Sequence, residues 1–98
     1  MRTVYKYKIQ TTDICRIRVP KLNGTDSFKE QILNIDIQNG EPCLWCLVDV
    51  GEEEQDIALR IVGTGNPMPT LTKDDYLGSY MLFNGGLVFH VFLEKERR

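Results

Sequence analysis

The chain has 98 residues, 42% of them hydrophobic and 27% charged, with a formal net charge of −2. That length accommodates one core, and the composition is that of an ordinary globular domain. Its 12 basic residues against 14 acidic ones lack the electrostatic footprint of a nucleic-acid binder, and no apolar run approaches the ~20 residues of a membrane-spanning helix.

Residues 3–9 alternate, with Tyr5, Tyr7 and Ile9 on one side and Lys6 and Lys8 on the other, the period-2 signature of a strand with one wet face. Residues 14–19 repeat the pattern, with Cys15, Ile17 and Val19 inward and Arg16 and Arg18 outward. The short polar spacer Thr11-Thr12-Asp13 predicts that these two strands pair as a hairpin. Pro20 ends the second strand because it cannot donate to a ladder. From Lys21 to Gln31 the sequence predicts a loop with at most one helical turn, N-capped by Ser27 or Asp26.

Leu33, Ile35 and Ile37 then alternate with Asn34, Asp36 and Gln38 up to Asn39-Gly40, a pair that favours a tight hairpin turn. Glu41-Pro42 would widen that turn. Residues 43–50 are apolar on both faces and carry Trp45, the sole tryptophan. Such a run predicts a central strand covered on both sides. After a charged loop at residues 51–55, Ile57, Leu59 and Ile61 mark another half-buried strand. Gly63-Thr64-Gly65-Asn66-Pro67-Met68-Pro69 breaks the pattern and continues into a polar stretch to Asp75, a connection long enough to suggest function. Two last strands, Tyr76–Phe83 with Gly78 as a bulge or close approach, and Leu87–Leu93, flank the turn Asn84-Gly85-Gly86. Glu94–Arg98 reads as a charged tail. The expected fold is all-β with at most a minor helical part: about seven antiparallel strands in one domain over residues 1–98, as a small sandwich or partly open barrel.

Few residues suggest chemistry. Cys43 and Cys46 have C-x-x-C spacing, but residues three apart on a strand point to opposite faces, so no disulfide or metal site is expected. Three cysteines in predicted strands fit buried thiols in a reducing compartment. His90 has no recognisable nucleophile or carboxylate beside it in sequence. No catalytic residue, metal or cofactor is expected. The candidate contact residues are instead Gly63, Thr64, Gly65, Asn66 and Met68 in the glycine-proline loop, the acidic knot Glu52, Glu53 and Glu54, and Tyr5 and Tyr7 if the first strand is an edge. Glycine-flanked N–H groups can hold an anion without a helix, and a charged patch can orient a partner.

The YKY strand, the run QNGEPCLWCLVD, the GTGNPMP loop and the terminal GGLVFHVF strand are together similar to a small family of uncharacterised proteins encoded by tailed phages and prophages. The resemblance spans nearly the whole chain, although members commonly have a shorter connection where this chain has Asn23–Gln31. It implies a phage gene context and the host cytoplasm as setting. The leading expectation is a non-catalytic phage accessory protein that binds and inhibits a host protein or protein complex, such as a CRISPR effector. The rivals are a binder that sequesters a nucleotide signal around Gly63–Pro69, and a virion or assembly component. Neither membrane nor direct nucleic-acid binding is expected, and an uncovered edge strand would allow a homodimer.

Overall fold

Seven stretches of this sequence read as strands, several by alternation and residues 43–50 by an apolar run on both faces. In the computed structural model, which describes residues 1–94, they form antiparallel strands. These are β1 (Arg2–Lys8), β2 (Ile14–Pro20), β3 (Ile32–Gln38), β4 (Glu41–Asp49), β5 (Glu54–Gly63), β6 (Tyr76–Leu82) and β7 (Leu87–Leu93). They divide into a three-stranded sheet, β1-β4-β3, and a four-stranded sheet, β2-β5-β7-β6. The result is an open two-sheet sandwich rather than a closed barrel. Val19, Leu44, Cys46, Val48, Leu59 and Val91 lie between the sheets, each fully buried. Of the predicted tail, residues 95–98 lie outside the described residues. Glu94 is described, and its carboxylate pairs with Arg60 at 3.1 Å.

The predicted β1–β2 hairpin does not form. β1 pairs with β4 and β2 with β5, so the chain arches from one sheet to the other. The linking segment is pinned to both: the Ile9 N–H donates to the Pro42 carbonyl, and the Asp13 carbonyl accepts from Ile61. Alternation gives each strand one dry face but does not say whether its partner lies beside it or across the core.

β3 and β4 do form the expected hairpin. Asn39 and Gly40 have φ of 52° and 79°, as a two-residue type I′ turn requires. Gln38 pairs with Glu41, so Glu41-Pro42 extends the strand and does not widen the turn. Within β3 a register shift between Ile32 and Asn34 inserts an extra residue. Leu33, expected inside, is consequently 51% exposed. β4 is central to its sheet, as expected, but only one of its faces meets the core. Leu44, Cys46 and Val48 point inward, whereas Trp45 and Leu47 project outward and are half-buried. Trp45 is therefore not at the middle of the core.

One 3-10 turn, Phe28–Glu30, sits where a helical turn was expected, with Ser27 as its cap and Glu30 completing a capping box. It inserts Phe28, 3% exposed, into the core. Gln31, next in sequence, is 1% exposed. Its amide donates to the carbonyls of Pro20 and Leu47, and its oxygen accepts from Gln55. That one side chain ties β2, β4 and β5 together. A second 3-10 turn, Lys73–Asp75, is capped by Thr72 in the same way.

β5 and β6 are both antiparallel to β7, which lies between them. They therefore run in the same direction, and residues 64–75 must cross β7 and return from the level of Phe89 to that of Phe92. Same-sense strands need a crossover of about a dozen residues. Topology alone accounts for the length of this connection. Gly78 meets the other sheet: a Cβ placed there would lie 3.2 Å from Ile35 Cδ1. The accompanying bulge falls between Tyr76 and Gly78.

Candidate functional site

The residues singled out from the sequence fall in three separate places. Gly63 and Thr64 lie at one end of β5, and Glu52, Glu53 and Glu54 at the other. Tyr5 and Tyr7 are on β1, in the other sheet.

At the Gly63 end, residues 63–66 form a β-turn in which the Asn66 N–H donates to the Gly63 carbonyl at 3.0 Å. Gly65 has φ of 90°, the conformation that the third position of a type II turn needs. The Thr64 N–H donates to the Val88 carbonyl at 3.0 Å. Two amides of this loop are thus committed to carbonyls and unavailable to an anion. Asn66 folds back over Gly63, where any Cβ would lie 2.9 Å from its Nδ2. The register also brings Thr64 beside His90, with the hydroxyl 2.7 Å from Nε2 and 3.3 Å from the Val88 carbonyl. This hydroxyl–imidazole contact joins residues 26 apart in sequence, and sequence reading had no means of finding it. A cleft of about 430 Å³ opens here, lined by Thr64, Asn66, Gly86, Leu87 and Phe89 among others.

The β6–β7 turn forms the rim. Phe83, Asn84 and Gly85 have φ of 54°, 54° and 86°. The Gly86 N–H closes the turn on the Phe83 carbonyl at 3.0 Å. Left-handed backbone is ordinary for Asn and Gly but costs a bulky residue roughly 1–2 kcal/mol. Phe83 adopts it while remaining 77% exposed; Met81, two residues before it, is 60% exposed, and Leu87, paired with Leu82 and so on the other face of the hairpin from Met81, is 46% exposed. Met68, in the connection beyond Asn66, is 49% exposed. Of this apolar group only Met68 was anticipated. The signal for the rest was an aromatic residue directly before Asn84-Gly85-Gly86, where turns usually carry polar residues.

At the opposite end, the acidic knot meets the basic residues of the N-terminal third. Arg18 donates to Glu54 at 3.1 Å and lies 3.5 Å from Asp56, and Lys21 pairs with Glu53 at 3.3 Å. Asn23 donates to Glu52 at 3.2 Å. The two charge runs largely neutralise one another within the chain. Exposed pairs of this kind contribute about 0–1 kcal/mol each. A larger cleft of about 530 Å³ lies beside them, floored by Phe28, Ile57 and Leu93.

β1 is an edge strand, as the contact role for Tyr5 and Tyr7 required. Both rings nevertheless turn inward, half-buried against the core, with centroids 6.4 Å apart. Burial pushes the Tyr7 phenol up to about 12. Cys43 and Cys46 diverge as strand geometry demands: Cys46 faces the core beside Tyr5, whereas Cys43 lies on the outer face between Lys8 and Asp36. All three cysteines are free and buried, and burial raises the Cys46 thiol to about 11. Among the described residues no group of three His, Cys, Asp or Glu side chains is placed to hold a metal ion, and no helix is long and apolar enough to cross a membrane.

Residues 1–98 match the family model described as Domain of unknown function (DUF7352), and the chain belongs to that family. Neither a curated protein nor a solved structure matches it.

Proposed function

We propose that this DUF7352 protein is a non-catalytic binding protein, and that it engages a protein partner through the exposed apolar side chains of Met81 and Phe83 at the β6–β7 turn. The observation that carries this reading is Phe83, displayed at 77% exposure on a backbone conformation that disfavours it. Strained backbone is retained where it serves a site. Exposed aromatic and methionine side chains are the groups that interface cores enrich, and a few such anchors dominate binding energy. The neighbouring cleft offers a concave surface into which a partner's own side chain fits. The sequence resemblance to phage-encoded proteins supports a host-cell partner, bound and inhibited in the cytoplasm, with antiviral defence components as the first class to test.

Affinity capture from host extract, performed in parallel with surface variants, tests this. Phe83→Ser with Met81→Ser should abolish capture of a partner that the wild type retains. Glu52→Gln with Glu53→Gln, at the other end of the molecule, should leave capture intact. The reading fails if the tip variant captures as well as the wild type while the acidic variant does not.

A further inference from the structure

The fold treats the two kinds of sulfur in this chain differently. There are three cysteines and three methionines. Cys15, Cys43 and Cys46 are free and buried. A thiol reacts with an oxidant as its thiolate, and only where solvent reaches it. Burial denies access to all three, and at Cys46 it also favours the protonated thiol. A thioether has no proton to lose, so exposure governs its oxidation. Met1, Met68 and Met81 are all exposed. An oxidant therefore meets the methionines of this molecule before its cysteines.

Of the three, Met81 stands where oxidation has a consequence. It lies two residues before Phe83, and the register pairs it with Val88 across the hairpin. Its sulfur packs against the turn itself: a Cβ placed at Gly85 would lie 3.9 Å from Met81 Sδ. Met68 lies in the connection between β5 and β6, and Met1 precedes β1.

Resting on the contact proposed above, we infer that Met81 is a modification site that controls it: a peroxide oxidises the thioether to the sulfoxide, and the partner is released. The sulfur lone pair attacks one peroxide oxygen, and an S–O bond forms as the O–O bond breaks. Sulfur loses two electrons. The departing hydroxide takes the proton of the transferred oxygen and leaves as water. A dithiol-dependent methionine sulfoxide reductase reverses the step, with the oxygen lost as water and the dithiol oxidised to a disulfide. A sulfoxide is an acceptor with no donor of its own. Packed into an apolar contact without a hydrogen bond, it weakens binding by about 10-fold or more. Met81 is 60% exposed, so its oxidation spares the fold.

Brief exposure of the full chain to hydrogen peroxide, quenched before use, tests this by peptide mass spectrometry and by affinity capture from host extract. Met68 and Met81 should each gain one oxygen while the three cysteines remain thiols. The oxidised wild type should capture at least about 10-fold less partner, and methionine sulfoxide reductases of both stereospecificities should restore capture. Met81→Leu keeps the size and apolarity of the side chain, and it should capture equally before and after peroxide. Met68→Leu should lose capture on oxidation as the wild type does. Cysteine oxidation ahead of Met81, undiminished capture by the oxidised wild type, or loss of capture by oxidised Met81→Leu would each overturn the inference. The unoxidised double variant Phe83→Ser with Met81→Ser separates the two readings. If it captures as well as the wild type, the contact is refuted and the switch with it. If it loses capture while the oxidised wild type keeps it, the switch alone fails.

Discussion

At Gly78 β6 packs directly on Ile35 of β3, and replacing the glycine with alanine sets two effects against each other. A Cβ at this position would lie 3.2 Å from Ile35 Cδ1, 3.3 Å from its Cβ and 3.5 Å from its Cγ1. Ordinary carbon contacts are at ~3.5–4.0 Å, so β3 must yield by a few tenths of an ångström. Ile35 is 8% exposed within the core and has little freedom to move. Overpacking of this kind costs about 1–3 kcal/mol. Removing glycine's freedom from the unfolded chain returns about 0.4–1 kcal/mol. The net expectation for Gly78→Ala is a loss of about 1–2 kcal/mol, read as a lower urea midpoint at unchanged slope and a melting temperature lower by about 5–15 °C. Ile35→Val removes the nearest atom and alone costs about 1 kcal/mol. The Ile35 Cβ at 3.3 Å remains in that background, so Gly78→Ala should still destabilise there, by about 0.5 kcal/mol less than it does alone, a coupling measurable by a double-mutant cycle. A neutral or stabilising G78A, or additivity with I35V, would refute the packing of β6 on β3 described above.

Phe83→Gly should separate stability from binding. It relieves left-handed strain of about 1–2 kcal/mol and gives back part as glycine entropy, so chemical denaturation should show a gain of up to about 1 kcal/mol while partner capture is lost. Gln31→Ala should cost about 2–4 kcal/mol in the same assay, because it strands the Pro20 and Leu47 carbonyls and leaves a cavity at a residue 1% exposed. Alkali should unfold the protein progressively. Cys46 is raised from 9.0 to about 11 and Tyr7 from 10.0 to about 12. Their contribution is complete below the unfolded values, near pH 9 and 10, and is lost as pH rises through the folded ones. Urea midpoints measured from pH 8 to 12 should therefore fall, and Tyr7→Phe should flatten the upper part of that decline.

Local chemistry was legible in the sequence wherever one residue type decides the backbone. Asn39-Gly40 and Asn84-Gly85-Gly86 placed both hairpins, Ser27 placed a 3-10 turn, and Gly78 marked the close approach. Strand identities followed from period-2 alternation. Partners did not: β1 and β2 are neighbours in sequence with matching patterns, yet they lie in different sheets. The Leu33 bulge and the outward turn of Trp45 were hidden for a related reason. An apolar residue reads the same whether it is buried in the core, packed under neighbours on an open face, or left exposed. The acidic knot and the basic strands read as two charge runs, and only their placement side by side revealed mutual neutralisation. Thr64 beside His90, and Leu87 beside the Gly63 turn, are products of strand register that no short window of sequence contains.

The central claim is that partner contact is made at the Phe83 tip. A photo-crosslinking phenylalanine analogue placed at position 83, and separately at position 52, tests it in host cells with the full chain. The account predicts a discrete covalent adduct from position 83 that wild-type protein competes away, and none from position 52. Adducts from position 52 with none from position 83, or no adduct from either, would contradict it.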